Sequence, residues 1–214
     1  MSFLIAPSLL SSDFSQLKKE VQALERAGAD WIHLDIMDSH FVPQLTFGPP
    51  MLKSLRVHCQ LPFDVHLMVE KPDRLISPFQ KAGANSISFH IESCEDPKAL
   101  IQKIKSFNLK VGLSLKPNTP IEESFPFLKD LDLVLVMTVE PGAGGQTFLE
   151  HQAEKVLTLR EKLNSLNYKT LIQVDGGINP DTAKKVLQAD VLVSGSYILK
   201  SKDYKKSISQ LKQI

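Results

Sequence analysis

Residues 27–35 read AGADWIHLD and residues 82–90 read AGANSISFH. In each, a glycine follows a segment of helical spacing and precedes a strand-like run, the order expected where a helix ends on a left-handed residue and a strand begins. The same helix-to-strand junction, met twice in the first ninety residues, points to repeated βα units.

Eight short apolar or β-branched runs carry the pattern through the chain: FLIAPS (3–8), WIHLDIM (31–37), FDVHLMV (63–69), SISFHI (86–91), VGLSLK (111–116), LVLVMTV (133–139), TLIQVDG (170–176) and VLVSGS (191–196). They read as strands. Helical spacing predicts helices over 15–27, 51–56, 73–82, 97–107, 121–129, 150–166, 181–187 and 203–212. Each strand is thus followed by a helix. The seven steps between Ser8 and Ser194 cover 186 residues, roughly 27 per step, a spacing suited to one βα unit. The expected architecture is a small α/β protein, a (β/α)8 TIM barrel with few insertions and a single domain over 1–214. A doubly wound open sheet competes with it, but would more often carry a Gly-rich turn after its first strand. Here that turn reads APSLLSSDF, without glycine.

The composition narrows the function classes. Lys and Arg number 25 against 24 Asp and Glu, a net charge of +1, which gives no global electrostatic case for nucleic acid or an anionic membrane. Any bound anion must be held by local geometry. No run approaches the ~18 apolar residues of a membrane span. Two cysteines, Cys59 and Cys94, form no CxxC pair, and the N-terminus lacks a basic region and cleavage pattern. A cytoplasmic protein is expected.

Strand side chains alternate between faces, so His33, Asp35 and Met37 share one face while Ile32, Leu34 and Ile36 share the other. The same rule groups Asp64, His66 and Met68 on strand three and Leu171, Gln173 and Asp175 on strand seven. Active sites of such barrels lie at the carboxyl ends of the strands. His33, Asp35, His66 and Asp175 can therefore converge near the barrel axis as a mixed N/O ligand set. That set suits one divalent metal ion such as Zn, Fe(II), Mn or Co. A single inward His or Asp is usually a hydrogen-bonded core group, and only the convergence of four favours a site. His90, with Ser86 and Ser88, reads as structural or supporting.

Two glycine-rich loops follow, EPGAGGQTF (140–148) after strand six and VDGGINPDT (174–182) after strand seven. VSGSYI (193–198) offers a third such turn after strand eight. Glycines beside helix starts allow backbone N–H groups to approach an anion. The loop over 38–50, long for a βα connection, reads either as a cover or as a stiff turn packed on its own aromatics. The lysines over 199–206 read as the solvated face of a terminal helix.

Taken in order, IAPSLLSSDF, GADWIHLDIMDSHFVP, FDVHLMVEKP, VMTVEPGAGGQTF, QVDGGIN and VSGS resemble the signatures of the ribulose-phosphate 3-epimerase family. The likeness covers essentially the whole chain. It implies a barrel of the ribulose-phosphate-binding type, a metal on His33, Asp35, His66 and Asp175, and the two aspartates as acid and base. It also implies substrate contacts from Ser8, His66, Met37, Met68 and Met137. The phosphate would be held by Gly142, Ala143, Gly144, Gly145, Gly176, Gly177, Gly195 and Ser196. The implied partner is a small-molecule sugar phosphate, with no nucleic acid or membrane; a homo-oligomer stays open. Two departures are visible: Ala143 stands where the family has a bulkier residue, and Ser39 where it has glycine. An epimerase for a six-carbon ketose phosphate such as allulose 6-phosphate, and a catalytically silent sugar-phosphate-binding barrel, are the alternatives. A decarboxylase or aldolase-type barrel would need a lysine at an inner strand end, and only Lys116, beyond strand five, comes near.

Overall fold

The computed structural model describes residues 2–214. Eight strands form one parallel sheet: β1 (Leu4–Pro7), β2 (Ile32–Met37), β3 (Phe63–Met68), β4 (Ser86–His90), β5 (Lys110–Leu115), β6 (Leu133–Met137), β7 (Leu171–Asp175) and β8 (Val191–Ser194). The sheet runs in the order β1-β8-β7-β6-β5-β4-β3-β2. A parallel bridge between Ser8 and His33, and a bond from Trp31 N–H to the Ile5 carbonyl at 3.3 Å, bring its two edges together. The chain is a (β/α)8 TIM barrel.

The alternation read from the sequence sorts the barrel wall. Ile32, Leu34 and Ile36 of β2, Val65 and Leu67 of β3, and Ile172 and Val174 of β7 all join the main core. That core continues through Val21, Leu24, Leu100, Ile104, Leu159 and Leu211 of the surrounding helices. Each such fully buried side chain contributes about 1.5–3 kcal/mol of transfer free energy. Inside the barrel, Trp31 and Leu171 pack against both the Leu133 cluster of β6 and the Val191 cluster of β8, at the end where the strands begin. No helix among the described residues is long and apolar enough to cross a membrane.

The junction repeat has a structural meaning, and it recurs four times. Asp30 donates its backbone N–H to the Ile5 carbonyl at 2.9 Å and accepts the Ile5 N–H on its carboxylate at 2.8 Å. Asn85 clasps Phe63 in the same way, at 2.9 and 2.8 Å. Asp132 clasps Val111 at 2.9 and 2.8 Å, and Asp190 clasps Ile172 at 2.8 and 2.7 Å. Each even-numbered strand is thus preceded, by one or two residues, by an Asx side chain that satisfies the exposed base of the strand before it. Gly28 (φ +89°) and Gly83 (φ +99°) turn the chain into the first two of these junctions, as the sequence indicated.

The helices are α1 (Leu17–Arg26), α2 (Pro49–Arg56), α3 (Ile76–Ala82), α4 (Pro97–Ser106), α5 (Gln152–Leu166), α6 (Pro180–Ala183), α7 (Ser196–Leu199) and α8 (Tyr204–Lys212). The short α7 was not expected from the sequence, and three further readings are corrected. The segment Ile121–Asp130 is a 3-10 helix, because Pro126 inside it has no N–H and would clash in an α-helical turn. The helix expected over 181–187 stops at Ala183. Beyond it the bonds tighten to i→i−3, with Lys185 N–H on Thr182 and Val186 N–H on Ala183. The lysines over 199–206 are divided: Lys200 and Lys202 lie between α7 and α8, and only Lys205 and Lys206 ride on the terminal helix.

Candidate active site and metal centre

The register of β2 against β3 sets His33 beside Asp64 and Asp35 beside His66, and that of β6 against β7 sets Met137 beside Asp175. The outcome is a single cluster. His33, Asp35, His66 and Asp175 each offer a ligand atom, and these atoms lie within 4.8 Å of one another. His33 Nε2 stands 3.3 Å from Asp35 Oδ1 and 3.8 Å from Asp175 Oδ2, while His66 Nδ1 stands 3.2 and 3.8 Å from the same two oxygens. Asp175 is the most exposed of the four and faces the cleft.

The residues fit a divalent cation. His33 Nε2 is fully buried and has no hydrogen-bond partner, although it points into the cluster. Its other nitrogen, Nδ1, bonds Asp64 Oδ2 at 2.8 Å, the carboxylate–histidine arrangement that fixes a metal ligand's tautomer and orientation. Asp64 in turn accepts from Ser86 Oγ at 2.6 Å and Gln173 Nε2 at 2.7 Å. Sequence reading grouped Asp64 with His66 on one face but gave it no role. The signal was its place two residues before His66, yet its partner Gln173 lies 109 residues away.

Burial and charge set the protons in the cation-free cluster. Burial alone would raise Asp35, but His33 and His66 beside it hold its carboxyl far below the usual carboxylate range. Asp175 moves the other way, pushed up to about 7 by burial and the neighbouring Asp35 charge. His33 is raised well above its ordinary value: burial opposes the charge, and Asp35 and Asp64 outweigh it. Burial lowers His66 and takes His90 down to about 4. Two adjacent carboxyls with opposite proton affinities are what acid–base chemistry at one carbon requires.

Above the cluster lies a cleft of about 510 Å³, open solvent at its mouth included. Ser8, Met37, Met68 and Met137 line it, as do Gly142, Ala143, Gly144 and Gly145 of the loop after β6. Gly176, Gly177, Gly195 and Ser196 complete the wall, so every residue expected to touch a substrate faces this cleft except His66, which lies beneath it within the donor cluster. Ser8 also donates its hydroxyl to Asp35 Oδ2. No lysine or arginine lines the cleft among the described residues, so an anion there must rely on backbone N–H groups and hydroxyls. Gly177 has no room for a side chain: at φ +65° a Cβ would sit 2.7 Å from Phe148 N. Sequence reading missed Gln146, whose amide holds the glycine loop through the carbonyls of Glu140 and Ala143 at 2.7 and 2.8 Å. It also missed Thr138, whose hydroxyl reaches the carbonyls of Asp175 and Gly176 at 2.9 and 2.6 Å.

The long loop after β2 is pinned and also covers the site. Asp38 accepts from the N–H groups of His40, Phe41 and Glu70, and Thr46 donates to the Asp35 carbonyl at 2.6 Å. Phe41 and Val42 pack on Met37 and Met68. Ser39 holds φ +61°, a left-handed conformation that glycine adopts without strain. Lys116 does not line the cleft; its ammonium lies 3.9 Å from the Phe41 ring centroid.

Known proteins resemble this chain along nearly its whole length. The model of the ribulose-phosphate 3 epimerase family matches residues 4–199. Ribulose-phosphate 3-epimerase from Bacillus subtilis (strain 168) is 44% identical over 211 residues, covering 97% of both chains. The Treponema pallidum (strain Nichols) enzyme of the same name is 50% identical over 197 residues, covering 91% of this chain and 90% of its own. Among solved structures, KGPDC from Streptococcus mutans superposes with a TM-score of 0.71 at 14% identity, over 100% of this chain and 97% of its own. That likeness concerns the fold alone.

Proposed function

Since this chain belongs to the ribulose-phosphate 3-epimerase family, and is thereby a carbohydrate epimerase, we propose that Asp35 and Asp175 perform its reaction, interconverting D-ribulose 5-phosphate and D-xylulose 5-phosphate. The observation that carries this reading is the pairing, at one end of the barrel, of two carboxyls with opposite proton affinities inside a four-donor cluster.

Inversion at C3 requires loss of the C3 proton from one face and return of a proton to the other. One aspartate takes the proton, and the electrons of the C3–H bond move toward the C2 carbonyl to give an enediolate. The other aspartate delivers a proton to the opposite face of C3 and the carbonyl re-forms. β2 and β7, which carry the pair, stand on different sides of the barrel, as attack on two faces requires. His33, Asp35, His66 and Asp175 would hold a divalent ion, Zn, Fe(II), Mn or Co, and such an ion would supply charge stabilisation to the enediolate oxygens. Met37, Met68 and Met137 keep the reacting carbon in a polarisable surround without exchangeable protons. Ser8 orients Asp35 through its hydroxyl.

The phosphate is assigned to the turns at Gly142, Ala143, Gly144, Gly145, Gly176, Gly177, Gly195 and Ser196, where backbone can approach it closely. Binding energy gained there positions C3 between the two carboxyls. The partner is accordingly a sugar phosphate. We read the setting as cytoplasmic, because Cys59 and Cys94 are free thiols. The six-carbon substrate and the silent barrel are not favoured by relatives that are named ribulose-phosphate 3-epimerases. The test is turnover of metal-supplemented enzyme on ribulose 5-phosphate and allulose 6-phosphate in parallel. Higher kcat/KM on the pentose phosphate is expected; the reverse order, or no turnover of either, would overturn the assignment.

A further inference from the structure

His66 Nε2, the nitrogen turned away from the donor cluster, lies 3.0 Å from Nε2 of His90. At that distance one ring must donate and the other accept, so one of the two nitrogens carries the hydrogen. The next contact decides which. His90 Nδ1 lies 3.1 Å from Glu92 Oε2, and a carboxylate oxygen only accepts, so His90 Nδ1 must carry a hydrogen. Neutral His90 then has a bare Nε2, His66 must donate Nε2–H to it, and the lone pair of His66 is left on Nδ1. Nδ1 is the nitrogen that faces Asp35 and Asp175.

Glu92 is itself fixed. Its second oxygen, Oε1, accepts the Lys116 N–H at 2.7 Å and the Thr119 hydroxyl, both from the turn after β5. Burial would raise Glu92, but the His90 ring, the Thr119 hydroxyl and the Lys116 N–H outweigh it and keep the carboxylate ionised, so it can anchor a chain of defined polarity. His90 is fully buried, and the Phe41 ring packs 4.9 Å from its centroid. Water is thereby kept from substituting for either bond.

We propose that Glu92, acting through His90, is a positioning residue that locks His66 in the tautomer and ring orientation presenting the Nδ1 lone pair to a divalent cation. The inference rests on the reading of His66 as a ligand, and it goes beyond that reading by assigning the carboxylate that enforces it. It parallels Asp64 on His33, with one imidazole inserted between carboxylate and ligand.

The full-length chain, labelled with 15N-histidine and loaded with Zn(II), provides the test through long-range 1H–15N correlation. The expected pattern is a metal-shifted Nδ1 with a protonated Nε2 for His66, and a protonated Nδ1 with a bare Nε2 for His90. A His90 ring carrying its hydrogen on Nε2 overturns the proposal while leaving His66 as a ligand. A His66 Nδ1 that Zn(II) does not shift overturns the ligand reading and the proposal together. Zn(II) competition against a chelator then compares two variants whose melting temperatures are followed in parallel. His90→Phe keeps a ring but offers no acceptor, and should bind about 10–100-fold more weakly than wild type. His90→Gln restores an acceptor and should recover most of that loss. Equal affinity for His90→Phe and wild type, or no recovery in His90→Gln, contradicts the proposal, and the tautomer measurement on the wild-type chain decides it should His90→Phe fail to fold.

Discussion

Asp64 Oδ2 lies 2.8 Å from Nδ1 of His33, its neighbour in register on the adjacent strand, and both side chains are buried. The contact leaves Nε2 of His33 as the nitrogen turned into the donor cluster. Asp64→Asn removes the charge while preserving the shape, so divalent metal affinity is expected to fall by about 10–100-fold. Competition titration with a chelator measures it. Unchanged affinity would show that Asp64 serves packing alone.

The second expectation concerns pH. In the cation-free chain burial and the Asp35 charge push the Asp175 carboxyl up to about 7, from an ordinary 3.8. A carboxyl whose folded pKa is raised contributes stability below its unfolded value, and that contribution is lost as pH rises through the folded value. Between about pH 4 and pH 7 the cation-free wild type should therefore lose stability from this source. Asp175→Asn, chelator-treated, should be more stable than chelator-treated wild type at pH 8, by about 1–3 kcal/mol, and the gap should close toward pH 4. Urea unfolding at the two pH values checks the sign.

Much of this was legible in the sequence, and the reason is periodicity. Alternation placed His33, Asp35, His66 and Asp175 on inward faces, and the strand spacing carried them to one end of a barrel. What was not legible depends on partners far apart in the chain. Asp64 acquires its role from His33 and Gln173, and Glu92 from a histidine two residues back and a turn after β5. The junction repeat was visible at Asp30 and Asn85, but Asp132 and Asp190 lack the preceding Ala-Gly-Ala and were found only through their clasps. The end of α6 was misread because its apolar spacing runs on past the point where the backbone tightens to deliver Asp190 to β8.

Those clasps lead to a third expectation. Asp132→Ala removes the side-chain acceptor for the Val111 N–H at the base of β5. A loss of about 1–3 kcal/mol is expected for the stranded donor, with kcat unchanged because the residue lies at the end of the barrel away from the cleft. Thermal unfolding alongside steady-state kinetics separates the two effects. A fall in kcat without a fall in stability would contradict this.

The phosphate turns supply the fourth. Free ribulose should show kcat/KM lower than ribulose 5-phosphate by about a hundredfold or more, because the remote anion holds the reacting carbon in place. Gly177→Ala forces a Cβ toward Phe148 N at a backbone conformation unfavourable to alanine, and should raise KM for the phosphorylated substrate. Comparable kcat/KM for the two sugars would remove the phosphate assignment.

The two-base reaction is tested most directly by Asp35→Asn and Asp175→Asn, each assayed in heavy water with its metal content measured, since both residues are also assigned as ligands. Wild type should place solvent deuterium at C3 of xylulose 5-phosphate. Each metal-loaded variant should lose net inversion, and one that retains a single working carboxylate can still exchange the C3 proton of one epimer. A metal-loaded Asp35→Asn or Asp175→Asn protein that epimerises at close to the wild-type rate would contradict the account.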